Sequence, residues 1–224
     1  MIGVLIPAYN AEATVGEVIA GVLTHLPRVL VVDDGSSDAT ARRAEAAGAE
    51  VIRHDGNRGK GAALGTGFAR LREQGVEAVI TIDADMQHDP EDIPILVESF
   101  QTRRADLIIG SRESSFSAMT PGRRFGNRFS CGALKFFSGL ELTDSQSGFR
   151  LYSREFLDGL SLKRTRYDAE IEAILRAGRD RRRIETVQIG MKAADGSATS
   201  YFRPWLDTYR ICRTVVWFSV CEIR

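Results

Sequence analysis

The sequence predicts an α/β fold in which a mostly parallel central sheet is flanked by helices. Short apolar segments alternate along the chain with longer segments of helical periodicity. The short segments are apolar at nearly every position, which is typical of parallel strands that are buried on both faces. With 224 residues, the chain is long enough for one sizeable core. We therefore expect a single domain over residues 1–224.

The first half of the chain contains five predicted strands, at 2–6, 29–32, 50–53, 78–82 and 107–110. Most of their residues are the apolar, branched types that favour strands. Helices are expected between them, over 11–26, from the capping residues 36–38 through 47, from 57–61 to about 74, and over 90–101. This alternation of strand and helix favours parallel strands over a meander of hairpins.

The second half of the chain contains three further predicted helices and two short strands. The helices are expected over 120–140, 167–178 and 203–221, and the strands end near residues 152 and 189. The segment 203–221 is apolar and aromatic, and we expect an amphipathic helix. Such a helix either packs on the domain or lies in a membrane interface, where Trp, Tyr and Arg are favoured.

Composition excludes several classes of protein. Thirty basic residues balance thirty acidic residues, so no nucleic-acid partner is expected. Three cysteines without C-x-x-C spacing argue against a disulfide framework and against a zinc site. The first strand begins at Ile2, which leaves no room for a signal peptide, and no apolar run approaches the ~20 residues of a membrane-spanning helix.

Polar residues follow each of the first five strands, at the edge of the sheet where ligands of such folds bind. They are Tyr9 and Asn10, Asp33 and Asp34, Arg58 and Lys60, Asp83 and Asp85, and Ser111 and Arg112. Each pair alone is compatible with an ordinary cap or turn. Together they predict one crevice at the carboxyl ends of the strands.

Asp83 and Asp85 are the candidate metal ligands of that crevice. Alternation along an extended strand end would direct both carboxylates to the same face. Two acids so close together repel unless a cation or a proton lies between them, and a hard divalent ion that also binds diphosphate oxygens meets this need. The alternative is an acidic turn before a helix that starts at Asp89 and Pro90.

The ordered motifs of the chain resemble family 2 glycosyltransferases, which have the glycosyltransferase A fold. These motifs are IPAYN at 6–10, VVDDGSSD at 31–38, NRGKG at 57–61 and DADMQHDP at 83–90. GSR at 110–112 and SQSGFR at 145–150 are similar to the subgroup of dolichyl-phosphate mannose synthase and bacterial polyprenyl-phosphate glucosyltransferases. Family members commonly have an acid directly after the Tyr-Asn pair, whereas this chain has Ala11 and then Glu12, so the ribose contact at that point stays open.

The resemblance implies a nucleotide-sugar donor of the UDP-glucose or GDP-mannose type, bound across the crevice. It also implies Mg²⁺ or Mn²⁺ held by Asp83, Asp85 and Gln87, and inverting transfer of a hexose. The predicted catalytic residues are Asp85, Asp144, Arg112 and Arg124. The predicted substrate-binding residues are Pro7, Ala8, Tyr9, Asn10, Asp33, Asp34, Lys60, Asp83, Ala84, Ser111, Arg123, Asn127, Gln146, Ser147, Arg150 and Arg203.

The acceptor is expected on the side of the 120–140 helix. Its basic residues are spaced like one helical face, which is either a solvated surface or a phosphate site. In the resembled subgroup, arginines at the positions of Arg112 and of Arg123 or Arg124 bind the phosphate of a polyprenyl phosphate. This acceptor implies peripheral contact with the cytoplasmic face of a membrane. The basic run 179–183 either is a solvated turn or contacts anionic lipid headgroups.

Whether a general base is needed depends on the acceptor. A phosphate monoester is already anionic near neutral pH, whereas a sugar hydroxyl must lose a proton. Asp144, Asp168 and Glu170 are the candidate bases, and turn formation or a helix N-terminus are their structural alternatives. A saccharide hydroxyl acceptor therefore remains an alternative. From other classes, a nucleotidyltransferase or a non-catalytic nucleotide-sugar-binding module would use a similar crevice.

Overall fold

The structure is a computed structural model, which describes residues 1–113, 116, 119, 121–190 and 204–222. The side chains at positions 123, 204 and 205 lie outside the described part. The strands are β1 (Ile2–Ala8), β2 (Val29–Asp33), β3 (Glu50–Arg53), β4 (Ala78–Thr81), β5 (Leu107–Ser111), β6 (Arg150–Ser153) and β7 (Ile184–Gln188). The helices are α1 (Val15–Leu23), α2 (Thr40–Ala46), α3 (Lys60–Glu73), α4 (Ile93–Arg103), α5 (Pro121–Ser138), α6 (Arg154–Gly159), α7 (Asp168–Arg179) and α8 (Pro204–Cys221).

The strands form one sheet of order β3-β2-β1-β4-β6-β5-β7. Only β6 is antiparallel to its neighbours β4 and β5, and the remaining pairs are parallel. This confirms the predicted α/β class with a mostly parallel sheet flanked by helices. The parallel order places the carboxyl ends of β1, β2 and β4 side by side, which is where the polar motifs were expected to meet.

Two apolar cores lie on opposite faces of the sheet, because side chains alternate along each strand. In β1, Val4 and Ile6 face the core beneath α1, α2 and α4, whereas Leu5 faces the core beneath α3, α6, α7 and α8. Helix α3 lies close to the sheet at Gly67, where a Cβ atom would be 2.2 Å from a methyl group of Leu5. A larger residue at this position would push the helix off the strand.

Three local differences separate the observed elements from the predicted ones. Helix α1 begins at Val15 rather than at 11, and the hydroxyl of the preceding Thr14 donates a hydrogen bond to the carbonyl of Ala84 (2.6 Å). Strand β4 ends at Thr81, one residue early. The short helix α6 was not predicted; the Ser153 hydroxyl caps it by accepting from the Phe156 amide (3.1 Å).

Helix α8 packs against α5 and α7 through a buried stripe of Ile211, Val215 and Phe218. The helix begins one residue after the predicted start at 203 and ends at the predicted residue 221. Among the described residues, no helix has both the length and the apolar content that crossing a bilayer requires.

Candidate active site

A cavity of about 460 Å³ opens at the carboxyl ends of β1, β2 and β4. Six short segments that are far apart in the sequence contribute its walls. They supply Pro7, Ala8, Tyr9, Asn10, Ala11, Thr14, Asp34, Asn57, Gly59, Lys60, Asp83, Ala84, Asp85, Arg166, Tyr167, Leu206, Asp207 and Arg210. The structure thus brings most of the predicted donor-side residues into one concave site, as expected for a ligand pocket.

The Asp34 carboxylate is fixed at one wall of this cavity. It accepts hydrogen bonds from the backbone amides of Arg58 (2.9 Å) and Gly59 (2.7 Å), and it contacts His54 Nδ1 at 2.8 Å. Gly59 has φ = 98°, and a Cβ there would be 2.3 Å from the carbonyl oxygen of Thr165. The motif glycine therefore permits the close approach of two loops that define the wall.

Asp83 forms an ion pair with Lys60, whose Nζ lies 2.6 Å from the Asp83 carboxylate and 3.1 Å from that of Glu170. Burial by itself would raise the pKa of Asp83, but the Lys60 ammonium outweighs it and the pKa is lowered. Burial likewise disfavours the charged form of Lys60, and the two carboxylates more than compensate, so its pKa is raised. Lys60 and Asp83 are therefore both charged at neutral pH.

Asp85 is held by its own loop. Its carboxylate accepts hydrogen bonds from the Gln87 backbone amide (3.1 Å) and from the Gln87 side-chain nitrogen (2.7 Å). Because β4 ends at Thr81, the two acids lie in a loop, and the expectation that strand alternation aligns them is wrong. The side-chain nitrogen of Gln87 thus positions the Asp85 carboxylate, and the role of its amide oxygen as a metal ligand stays a prediction.

His88 is buried behind the two acids, with its ring 5.5 Å from that of Phe149. Burial and, to a smaller extent, the positive charge of Arg112 lower the pKa of His88 to about 3. The imidazole is therefore neutral at physiological pH. Its Nδ1 atom has no hydrogen-bond partner within the described part of the chain.

Arg112 and Asp144 form a buried, bidentate ion pair away from the cavity lining. Nε and Nη2 of Arg112 donate to the two carboxylate oxygens at 2.8 and 3.1 Å, and the Gln146 amide also donates to Asp144. Burial would raise the pKa of Asp144, but Arg112 outweighs it and the pKa is lowered. Asp144 thus neutralises Arg112 and accepts from the turn that follows it; the catalytic roles expected for both residues stay predictions.

Four residues predicted to contact substrate are buried and have hydrogen-bond partners within the protein. Ser111 bonds to the Thr143 hydroxyl (2.9 Å), and Asn127 donates to the Thr143 carbonyl and accepts from the Ser145 amide. The Ser147 hydroxyl accepts from the Phe149 amide (3.3 Å). Arg150 is fully buried and donates to three backbone carbonyls. These contacts hold the loop before β6, and the substrate contacts predicted for the four residues stay predictions.

The sequence model of the family described as Glycosyl transferase family 2 matches residues 3–160 of this chain. The chain belongs to that family. It is 30% identical over 212 residues to UDP-N-acetylglucosamine–dolichyl-phosphate N-acetylglucosaminyltransferase of Methanococcus voltae, covering 84% of each protein. It is 32% identical over 198 residues to undecaprenyl-phosphate mannosyltransferase of Micrococcus luteus, covering 83% of this chain and 81% of that protein.

Solved structures agree with this assignment. Glucosyl-3-phosphoglycerate synthase of Mycobacterium tuberculosis, crystallised with Mn²⁺, UDP-glucose and phosphoglyceric acid, superposes with a TM-score of 0.79 at 26% identity. The match covers 100% of this chain and 79% of that one. The family 2 assignment and the glycosyltransferase A-type fold predicted from the motifs are confirmed, and the chain is a glycosyltransferase.

The acids in the first turns of α7, which include the candidate bases Asp168 and Glu170, all have structural partners. Asp168 accepts a hydrogen bond from the Thr214 hydroxyl of α8 (3.1 Å), and Glu170 pairs with Lys60. Glu172 accepts from the backbone amides of the 163–164 segment and from Arg176. Thus Asp168 and Glu172 fix the position of α7, and Glu170 holds Lys60 at the wall of the cavity.

The remaining predicted residues fall at the margin of the site or outside the described part. Asp33 lies below the cavity, where it accepts from the Ser36 amide (3.0 Å) and pairs with Arg53 (3.3 Å). Gln146 lies beside Gly126 of α5, outside the cavity lining. Arg124 is half-buried on α5. The side chain at 123 and the whole of residue 203 lie outside the described residues, so their predicted roles stay predictions.

The wall formed by α7 and α8 was not predicted as part of the site. Arg166 and Tyr167 precede α7, and Asp207 and Arg210 lie in the first half of α8. Burial raises the pKa of Tyr167 to about 12, so its phenol stays protonated. The sequence signal was weak: the apolar and aromatic pattern of 203–221 predicts packing or a membrane contact, and it does not indicate what Asp207 and Arg210 meet.

The carboxylates of the cavity are suitable ligands for a hard divalent cation. Among the described residues, no cluster of three or more His, Cys, Asp or Glu side chains could hold a metal alone. Asp83 and Asp85 nevertheless line the same cavity, and Mg²⁺ is usually bound by one or two carboxylates together with substrate phosphates. Gly148 lies against Asp83, where a Cβ would be 2.3 Å from a carboxylate oxygen, so this carboxylate has a fixed position.

Proposed function

We propose that this enzyme transfers a hexose from a nucleotide sugar to a polyprenyl phosphate, with inversion at the anomeric carbon. The two relatives named above act on dolichyl and undecaprenyl phosphate, which supports this acceptor class. The observation that carries the proposal is the state of the candidate bases: Asp144, Asp168 and Glu170 are each engaged by a structural partner. An acceptor that arrives as an anion needs no such base.

The donor is proposed to lie in the cavity with its base and ribose near Pro7, Tyr9 and Asp34. A volume of about 460 Å³ suits a ligand of nucleotide size. The Asp34 carboxylate is rigid and lies at the end of β2, so it is available to accept from a ribose or base donor group. UDP-glucose and GDP-mannose are the leading donors.

Asp85 and Asp83 are the residues proposed to hold Mg²⁺ or Mn²⁺ beside the donor diphosphate. When bound, the ion neutralises charge on the departing nucleoside diphosphate. Lys60 holds Asp83 in place, and Gln87 orients Asp85, so both carboxylates are preorganised. A preorganised carboxylate loses little conformational freedom on binding, which favours this role.

The outer surfaces of α5 and α8 are proposed to contact the membrane that contains the lipid acceptor, at its cytoplasmic face. On α5, Phe129 is 50% and Phe136 83% exposed; on α8, Tyr209 and Val220 are each 64% exposed. Isolated exposed apolar residues are ordinary, but a series of aromatic residues along two packed helices is typical of an interaction surface. Arg128 and Lys135 of α5 add positive charge that suits anionic headgroups.

Replacing both Phe129 and Phe136 by serine is expected to reduce binding to anionic vesicles by about tenfold or more. The reason is that the variant loses two aromatic rings that the parent would bury in the bilayer. Sedimentation with phosphatidylglycerol vesicles measures the effect. The matched control replaces Leu23 and Ile95, which are exposed on α1 and α4, and should bind as the parent does. Equal binding by both double variants would place the membrane contact elsewhere.

The proposed reaction is tested with the full chain in two steps. Thermal denaturation is first measured with a panel of nucleotide sugars, with and without Mn²⁺; one donor should raise Tm by several degrees, and only with metal. That donor is then offered with a short-chain polyprenyl phosphate, and release of nucleoside diphosphate is followed. Adding EDTA should abolish turnover.

Transfer to a saccharide hydroxyl but not to the lipid phosphate would overturn the acceptor assignment, and release of pyrophosphate would indicate a nucleotidyltransferase.

A further inference from the structure

We infer that Arg166 and Arg210 form a second oxyanion-binding edge of the donor cavity, on the wall made by α7 and α8. Both side chains line the cavity that also contains Asp83 and Asp85. The ligand is a phosphate or diphosphate group, supplied either by the donor or by the lipid acceptor. This inference rests on the proposed function for the identity of the two phosphates.

The charges that line the cavity favour such an edge. Four carboxylates, those of Asp34, Asp83, Asp85 and Asp207, line it together with three cations, Lys60, Arg166 and Arg210. Lys60 is engaged by two carboxylates, that of Asp83 at 2.6 Å and that of Glu170 at 3.1 Å. Among the described lining residues, the charged donors left for a polyphosphate are therefore those of Arg166 and the guanidinium nitrogens of Arg210 that its contact with Asp207 does not use.

Arg210 is held in position by a buried partner. Its Nη1 lies 2.9 Å from the Asp207 carboxylate, which is 3% exposed, whereas the Arg210 side chain is 29% exposed. A guanidinium has five N–H donors in a fixed fork, and this contact uses only Nη1. The remaining donors can bind an oxyanion bidentately while Asp207 restricts the side chain to the cavity wall.

Arg166 supplies the second cation. It precedes Tyr167 and α7, beside the Gly59 loop, where its Cγ would lie 3.1 Å from a Cβ at Gly59. The residue is exposed, and within the described part of the chain its guanidinium makes no ion pair. An unneutralised cation at the rim of a cavity lined by carboxylates binds an incoming phosphate at low cost in desolvation.

The test compares Arg210→Ala, Arg166→Ala and the double variant with Arg213→Ala. Arg213 is exposed on the same helix, and it lines a separate surface cavity with Trp217, so it is the matched control. Calorimetry measures the affinity for UDP and GDP with Mn²⁺, and for UMP and GMP under the same conditions. Kinetics measure the KM for a short-chain polyprenyl phosphate. Thermal denaturation verifies that each variant is folded.

If the edge binds the donor diphosphate, each alanine variant should lose about tenfold in affinity for the diphosphate and less for the monophosphate. If it binds the acceptor, nucleotide affinity should be unchanged and the acceptor KM should rise by a similar factor. Arg210→Lys should retain part of the affected binding, because it keeps the charge but not the fork. Variants that match Arg213→Ala in both measurements would overturn the inference.

Nucleotide affinity does not depend on turnover, so the two proposals can fail separately. A parent enzyme that ignores polyprenyl phosphate, together with weakened UDP or GDP binding in Arg210→Ala, would remove the proposed acceptor and keep the oxyanion edge. A parent enzyme that transfers sugar to polyprenyl phosphate, together with arginine variants that bind nucleotide and acceptor normally, would keep the proposed acceptor and remove the oxyanion edge.

Discussion

Replacing Asp85 by asparagine is expected to lower kcat by about 10²–10³-fold while the fold stays intact. The carboxylate lines the cavity, and it is the group proposed to hold the divalent ion beside the diphosphate. Asparagine keeps the size of the side chain and can still accept from the Gln87 amide, so the loop should keep its conformation. The lost quantity is the negative charge, which reduces affinity for the metal.

Two measurements separate this effect from a structural one. Steady-state kinetics with Mn²⁺ give kcat, and calorimetry of Mn²⁺ binding in the presence of UDP or GDP gives the metal affinity. Glu91→Gln is the matched control, since Glu91 is an exposed acid (71% of its side chain) that follows the same loop. An Asp85→Asn enzyme that transfers sugar at the parental rate would show that this carboxylate does not support the leaving group.

Much of the fold could be predicted because the relevant signals are local. Buried parallel strands are apolar throughout, and β1, β2, β3 and β5 were placed within two residues of their observed bounds. The position and direction of β6 could not be predicted in this way. The strand lies between β4 and β5 and runs antiparallel to both, and its four residues contain no signal for that position.

The donor side of the site was predictable for the same reason. Residues that directly follow β1, β2 and β4 must meet at one edge of a parallel sheet, whatever the details of the loops. Arg166 and Arg210 reach this edge only because α7 and α8 pack back across it, which is a tertiary property. A helix whose apolar stripe is evident gives no sequence indication of what its polar face meets.

Motifs on the acceptor side were harder to interpret because a buried polar residue and a ligand-binding one look alike in sequence. Asn127 and Arg150 belong to polar segments near the crevice, yet both satisfy backbone groups of the 143–147 loop. Such a loop has many polar backbone groups that must be paired once it is buried. A side chain with several hydrogen-bond donors is therefore as suitable for pairing the backbone groups of a buried loop as for binding a substrate.

Replacing Arg150 by methionine is expected to destabilise the protein by about 3–5 kcal/mol, a large fraction of the stability of an ordinary domain. The guanidinium is fully buried and donates to the carbonyls of Ser147 (2.7 Å), Glu170 (2.8 Å) and Ser145 (2.8 Å). Methionine has a similar length and no donor, so three buried carbonyls would lose their partner. Urea denaturation, with an unchanged m value, measures the loss.

The same substitution is expected to weaken the site, because Arg150 connects the loop before β6 to the turn of α7 that carries Glu170. Glu170 in turn holds Lys60 against Asp83. Arg150→Lys should recover only part of the stability. One ammonium can donate to some of the carbonyls, but it cannot reach all three that are arranged around the planar fork of an arginine. Arg103→Met removes an exposed arginine paired with Glu185 and should leave the denaturation midpoint unchanged. An Arg150→Met protein as stable as the Arg103→Met control would mean that the three carbonyls find other donors, and that this buried arginine is kept for a reason other than the fold.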